Sequence, residues 1–288
     1  MFRIHYKVTL SYDVLTETAD FIFNIEAART PHQTIISEHL GLPAHIVRDI
    51  YEDPVLANRV LRVRAPQGPL EVQYEATVHI DQRFDDPSTL REIPVAQLPF
   101  TVMPYLAPSR YCQSDRLMEF ALREFGAVPT GYARVLAISN WVSTHVRFQS
   151  SSSNESTSAV DTIVQRTGVC RDFANLMIAL CRAISIPARF CSSLDYGADP
   201  ALGPSDFHAF VEVYLSGRWY LFDPSNGSIP TGLLRIGTGH DASDIPFAAI
   251  FGGVRYLPPV ISVMAEANAA QGWFLPERTS SAICTWHD

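Results

Sequence analysis

The opening segment of the chain alternates apolar and polar residues with a period of two, from Ile4-His5-Tyr6-Lys7-Val8 through Leu10-Ser11-Tyr12. That period turns one set of side chains to each face of a pleated strand. Asp20 to Ile25, Val60 to Val63 and Val72 to Ile80 are β-branched or aromatic in the same manner, so residues 3–80 are expected to be mostly strand. Pro66-Gln67-Gly68-Pro69 falls between the last two candidate strands and predicts a hairpin there.

The pattern breaks in a proline-rich passage from Pro87 to Pro108, the expected linker between a β-rich domain over 1–105 and a second domain over 106–288. Beyond it, Ser114-Asp115 is expected to cap a helix through Phe125. Val135, Ile138, Val142 and Val146 then recur at helical spacing within 132–146. The polar run from Ser150 to Ser158 reads as a solvated loop, and Ala159 to Arg166 as a short helix.

After this comes Gly168-Val169-Cys170 and a segment with apolar residues at Phe173, Leu176, Met177, Leu180 and Ile184, closed by Ser185-Ile186-Pro187. This is a helix with a buried face and a proline stop, and Cys170 stands at its N-terminus. Unpaired N–H groups and the helix dipole at that end favour an anion and so favour a thiolate. Asp206 to Leu215 and Arg218 to Pro224 form two β-rich runs joined by Ser216-Gly217, a hairpin signature. With those two residues as the turn, His208 pairs with Ser225 and Phe210 with Asp223. His208 and Asp223 are then diagonal neighbours on one face, at a spacing of about 7–8 Å that side chains can close.

Charge and cysteine usage narrow the function. A net charge of −8 and the absence of any basic run argue against a nucleic-acid partner. Charged residues in the first seven positions interrupt any signal-like apolar core. No run reaches the roughly 18 apolar residues of a membrane-spanning helix, so a cytoplasmic protein without a membrane partner is expected. The five cysteines, irregularly spaced and without a C-x-x-C pair, suggest neither a disulfide framework nor a zinc site. Four read as core residues. Cys170, with an imidazole oriented by a carboxylate, has the makings of a nucleophile.

Thr167-Gly168-Val169-Cys170-Arg171-Asp172-Phe173-Ala174, Ser185-Ile186-Pro187-Ala188-Arg189, His208-Ala209-Phe210-Val211-Glu212-Val213 and Trp219-Tyr220-Leu221-Phe222-Asp223-Pro224 occur in this order. Together they resemble the bacterial transglutaminase-like family, whose members are often described as candidate cysteine proteases. The resemblance is strongest over residues 105–255. It implies an α+β fold with a papain-like core, in which a nucleophile helix packs on an antiparallel sheet beside the β-rich N-terminal domain. It also implies Cys170 as nucleophile, His208 as general base and Asp223 as its orienter. Asn175 stands where many relatives carry histidine, and His240 replaces an arginine, which puts in doubt any pocket chemistry at those two positions.

The expected activity is cysteine-dependent acyl transfer on a peptide or protein amide, by way of a thioester and without cofactor or metal. Hydrolysis is favoured, because water is always present. Transfer to an amine and non-catalytic peptide binding are the alternatives. Asp172 reads as a first-turn carboxylate stabilising the helix, Glu212 as a structural partner of an arginine, and Trp219 and Phe222 as core. Gln165 resembles an oxyanion-hole glutamine in position but reads better as helix surface; the Cys170 N–H is the safer oxyanion donor.

Overall fold

A computed structural model describes residues 1–197 and 205–287. The chain begins with β1 (Phe2–Phe23), β2 (Gln33–Gly41), β3 (Val47–Glu52), β4 (Arg59–Ile80) and the short β5 (Arg83–Asp85). Helices α1 (Met118–Phe125) and α2 (Tyr132–His145) follow, then β6 (Arg147–Phe148), α3 (Ala159–Gln165), β7 (Thr167–Gly168) and α4 (Cys170–Ala183). The remainder is strand: β8 (Ala188–Asp195), β9 (Phe207–Leu215), β10 (Arg218–Phe222), β11 (Leu233–Gly239), β12 (Ala248–Phe251), β13 (Val254–Tyr256), β14 (Val260–Glu266) and β15 (Ala282–His287). This is the expected α+β architecture.

In β1 the alternation read from the sequence is realised directly: Ile4, Tyr6, Val8 and Leu10 are buried, and the residues between them are partly open. The hairpin expected at Pro66–Pro69 is absent, because β4 runs straight through it as one strand paired with β1. Two features make room for the prolines. The β1 ladder bulges, jumping from Val14 opposite Gly68 to Thr18 opposite Pro66. On the other side of β4, β3 pairs only as far as Arg64 and β2 only from Gln73, so on that side the prolines meet no ladder that would need their missing N–H groups.

Strand pairing crosses the 105/106 boundary in both directions. From the C-terminal half, β12, β13 and β14 all pair with β1. In return β5, just before the linker passage, pairs with β15 at the edge of the second sheet. That sheet has the order β11-β8-β9-β10-β15-β5. Two amide side chains bind the sheets together by imitating backbone pairing. Asn58 donates to Thr238 O at 2.7 Å and accepts from Thr238 N at 2.8 Å. Gln33 likewise donates to Arg235 O at 2.8 Å and accepts from Arg235 N at 2.9 Å. Leu194, Leu234 and Ile236 carry the core of the first sheet onto the second.

Helix α4 lies against the second sheet with α1, α2 and α3 around it, so every residue from Asp172 to Ala183 is buried rather than a single face. The sheet meets it with Ala209, Val211 and Val213 of β9. The opposite face of β9 carries Glu212, which is fully buried. Its carboxylate pairs with Arg189 Nε at 2.6 Å and also with Arg235, and the Arg189 guanidinium lies 4.0 Å from the centre of the Trp219 ring. Glu212 thus has the arginine tie expected of it.

Removing one member of a buried ion-pair group strands the others in low dielectric. Glu212→Ala should therefore cost about 3–5 kcal/mol of unfolding free energy in urea denaturation. A change under about 1 kcal/mol would mean that the arginines find solvent without it.

Candidate functional site

Cys112, Cys181, Cys191 and Cys284 are buried, whereas Cys170 is partly open at the first position of α4. Burial pushes the Cys112 thiol up to about 12, and Cys181 still higher, which makes both inert. The turn that presents Cys170 is fixed by Asp172. Its carboxylate accepts from Val169 N at 2.9 Å, from Ser153 Oγ at 2.9 Å and from Arg171 Nε at 3.3 Å. Asp172 is thus the helix-stabilising carboxylate the sequence suggested, and Ser153 ties the serine-rich loop to the turn that carries Cys170. Gly168 makes room for it: a Cβ there would meet the Asp172 Cβ at 2.8 Å.

The β9–β10 hairpin adopts the expected register, with Leu215 opposite Arg218 and Val211 opposite Phe222. Ser216 (φ 48°) and Gly217 (φ 83°) both take the left-handed backbone of a two-residue turn. His208 Nε2 consequently lies 3.3 Å from Asp223 Oδ2. Asp223 in turn accepts from Ser225 N at 3.0 Å and Oγ at 2.6 Å, and from Ser228 N at 3.2 Å and Oγ at 2.5 Å. The Cys170 thiol lies beside the same imidazole, near enough to raise its pKa, and its Sγ is 3.9 Å from the carbonyl oxygen of Phe207, the residue before His208. Cys170, His208 and Asp223, drawn from a helix and a hairpin, are therefore contiguous.

Electrostatics shift the titration of His208 and Asp223 in opposite directions. Burial alone disfavours a charged ring at His208, but the Asp223 carboxylate and the Cys170 thiol outweigh it and hold the imidazole well above its usual pKa. Burial alone would likewise raise Asp223. His208 and the two serine hydroxyls instead hold it well below the usual carboxylate range. Both shifts favour a protonated ring facing an ionised Asp223.

A further carboxylate that the sequence reading missed lies on the other side of the ring. Asp195 Oδ2, at the end of β8, is 3.5 Å from His208 Nδ1 and is itself buried. Cys170, Asp195, His208, Tyr111, Phe207 and Phe247 line a cleft of about 810 Å³. Its wall also includes Arg110, Ser151, Glu155 and Asp206, all exposed, so water reaches the cleft.

The positions left in doubt lie elsewhere. Asn175 is buried in α4, where its carbonyl accepts from the Cys112 thiol and its side chain from Ala242 N. His240 stacks on Tyr105 and bonds Asp244 at 2.8 Å. Gln165 is exposed at the end of α3. None of the three lines the cleft. Trp219 and Phe222 are buried, as expected of core residues.

Residues 120–224 match the family model of the transglutaminase-like superfamily, and residues 2–101 match that of the bacterial transglutaminase N-terminal domain. The chain is also similar in fold and sequence to a candidate cysteine protease from Cytophaga hutchinsonii of known structure. That protein is 35% identical, with a TM-score of 0.90 over 98% of this chain and 97% of that one. The chain belongs to the transglutaminase-like superfamily. Shorter similarities extend to mycobacterial proteins: ML0607 of Mycobacterium leprae is 29% identical over 125 residues, and Rv2569c of Mycobacterium tuberculosis 32% over 114. The matched part spans 44% and 36% of the length of those two relatives, and 41% and 36% of this chain.

A group whose folded pKa is raised contributes stability that is complete below its unfolded value, near 6.5 for histidine, and is lost as pH rises through the folded value. The stability advantage of the wild-type superfamily member over His208→Gln should accordingly be greatest in mildly acid solution and shrink as the pH climbs beyond neutrality. Urea denaturation at a series of pH values measures it. An advantage that grew with rising pH would contradict the charged ring.

Proposed function

We propose that this protein is a cysteine-dependent acyl-transfer enzyme, acting as a thiol hydrolase on peptide or protein amides. The observation that carries the reading is the contact of Cys170, at the N-terminus of α4, with a buried imidazole whose Nε2 faces Asp223 at 3.3 Å. In the proposed cycle the Cys170 thiolate adds to the substrate carbonyl, and the Cys170 N–H and its neighbours at the helix end bind the developing oxyanion. His208 then gives its proton to the departing amine as the C–N bond breaks, leaving a thioester. Water attacks next, His208 takes a proton from it, and collapse of the second tetrahedral intermediate releases the carboxylic acid and restores the thiolate–imidazolium pair.

Asp223 acts through the ring by holding its tautomer and orientation. The hydrolytic outcome is supported by the exposed cleft wall of Arg110, Ser151, Glu155 and Asp206, since transfer to an amine requires water to be excluded from the thioester. The similarity to the Cytophaga hutchinsonii protein points the same way.

Incubation with a peptide library, with and without a primary amine, tests the reading by mass spectrometry. Cleavage is the expected result, abolished by Cys170→Ala. Amine adducts would make the protein a transferase, and no turnover at all would make the cleft a binding site. In the cleaving enzyme Asp223→Asn should lower kcat by about four orders of magnitude with the fold intact, because the ring loses its tautomer. Unchanged turnover in that variant removes Asp223 from the mechanism.

A further inference from the structure

The imidazole of His208 sits between carboxylates from the strands on both sides of β9. On the β10 side, the hairpin register brings Asp223 diagonally to the ring, at Nε2. On the β8 side, Ser193 pairs directly with His208, so Asp195, two residues further on, is its diagonal neighbour on the same face. Its Oδ2 is 3.5 Å from Nδ1. Nε2 is turned to Asp223, so Nδ1, beside Asp195, is the ring nitrogen left to exchange a proton with the Cys170 sulfur in the proposed cycle. Asp195, Cys170 and His208 all line the cleft, and Asp223 lies behind the ring.

We propose that Asp195 is a positioning residue that shares the Nδ1 proton of His208 with Cys170. The proposal rests on the catalytic reading above and adds a residue to it. Its use lies in the second half of the cycle. While Cys170 is a thiolate, the imidazolium has an anion at each nitrogen. Once the sulfur is acylated that charge is gone, and Asp195 is the anion that keeps Nδ1 directed into the cleft, where the incoming water must be met. The same carboxylate favours the protonated forms of both partners, because each proton lost adds negative charge beside it. Other charged groups bordering the cleft are Arg171 on α4, Asp206 before β9, and Arg110 and Glu155 from the loops. Arg171 is already committed to Asp172.

The rate of Cys170 alkylation by iodoacetamide, followed from pH 4 to 10 on the full chain, tests this without knowledge of the substrate. A coupled thiol–imidazole pair changes rate in two steps, which belong to the pair and not to either group. Removing a nearby negative charge while keeping the shape, as in Asp195→Asn, should move both steps to lower pH by about one unit. Asp195→Glu, which restores the charge, should bring them back towards the wild-type positions.

A purely structural role predicts a different signature. Misplacing the ring weakens the pair itself, so the lower step would rise and the upper step fall, and the two would converge. That convergence, or a profile coincident with wild type, overturns the proposal for Asp195 while leaving the catalytic reading in place. A wild-type profile with one step, unaffected by His208→Ala, overturns both. Circular dichroism and the urea midpoint of each variant establish that the comparison is made between folded proteins.

Discussion

The pairing of β8 with β9 is fixed by charge as well as by apolar packing. Arg189 stands directly opposite Glu212, and Arg235 reaches the same carboxylate from β11 on the far side of β8. A slip of one residue along β9 would turn Glu212 towards the helices and leave two arginines buried without their anion, at a cost far above that of a lost apolar contact. The register that neutralises Glu212 also sets His208 opposite Ser193 and presents Ala209, Val211 and Val213 to α4. Placement of the imidazole therefore follows from a buried ion group four residues away, on the same face of the same strand. The Trp219 ring over Arg189 extends the arrangement to β10, whose end carries Asp223.

The first sheet contributes to this indirectly. Its two longest strands, β1 and β4, bury one face each, and the ends of the second sheet's β8 and β11 complete that core through Leu194, Leu234 and Ile236. Asn58 and Gln33 then pin β11 by bonding its backbone as a neighbouring strand would. The exchange of β5 for β12 to β14 makes the two sheets topologically inseparable, because neither can be completed from one continuous half of the chain. Opening one sheet would strip an edge from the other. This favours cooperative unfolding over independent opening of the two halves.

What was legible in the sequence is what local physics determines. The N-terminal position of Cys170 follows from helical spacing and a proline stop. The His208–Asp223 relation follows from a two-residue turn, which dictates register with no long-range information. Asp195 was illegible for the converse reason: β8 and β9 are joined by a connection whose length gives no register, so nothing local says which residue of β8 faces the ring. The same limit hid the return of β12 to β14 to β1. The expected hairpin at Pro66–Pro69 failed because proline reports only that a ladder bond is missing. It does not distinguish a turn from a strand with a gap in its neighbours, and β4 is the second case. Ser225 and Ser228 lie between these extremes: Asp-Pro-Ser-Asn-Gly signals a tight turn on the carboxylate, but its place behind His208 emerges only in the fold.

The carboxylates around Cys170 differ in how much of their charge remains available. Asp172, two residues from Cys170, would oppose a thiolate if its charge were free, yet Val169 N, Ser153 and Arg171 take up its oxygens and the side chain is fully shielded from solvent. Asp223 is similarly saturated by Ser225 and Ser228, so its remaining field is directed at the ring. Both are thereby converted from general sources of negative potential into fixed partners of a single group. In the proposed cycle, preorganisation of this kind lets a thiolate and an imidazolium coexist in a site so rich in acids, since a reorganising solvent would otherwise have to screen each carboxylate separately. The serines and the arginine around these two acids are thus as much a part of the site's electrostatics as the acids themselves.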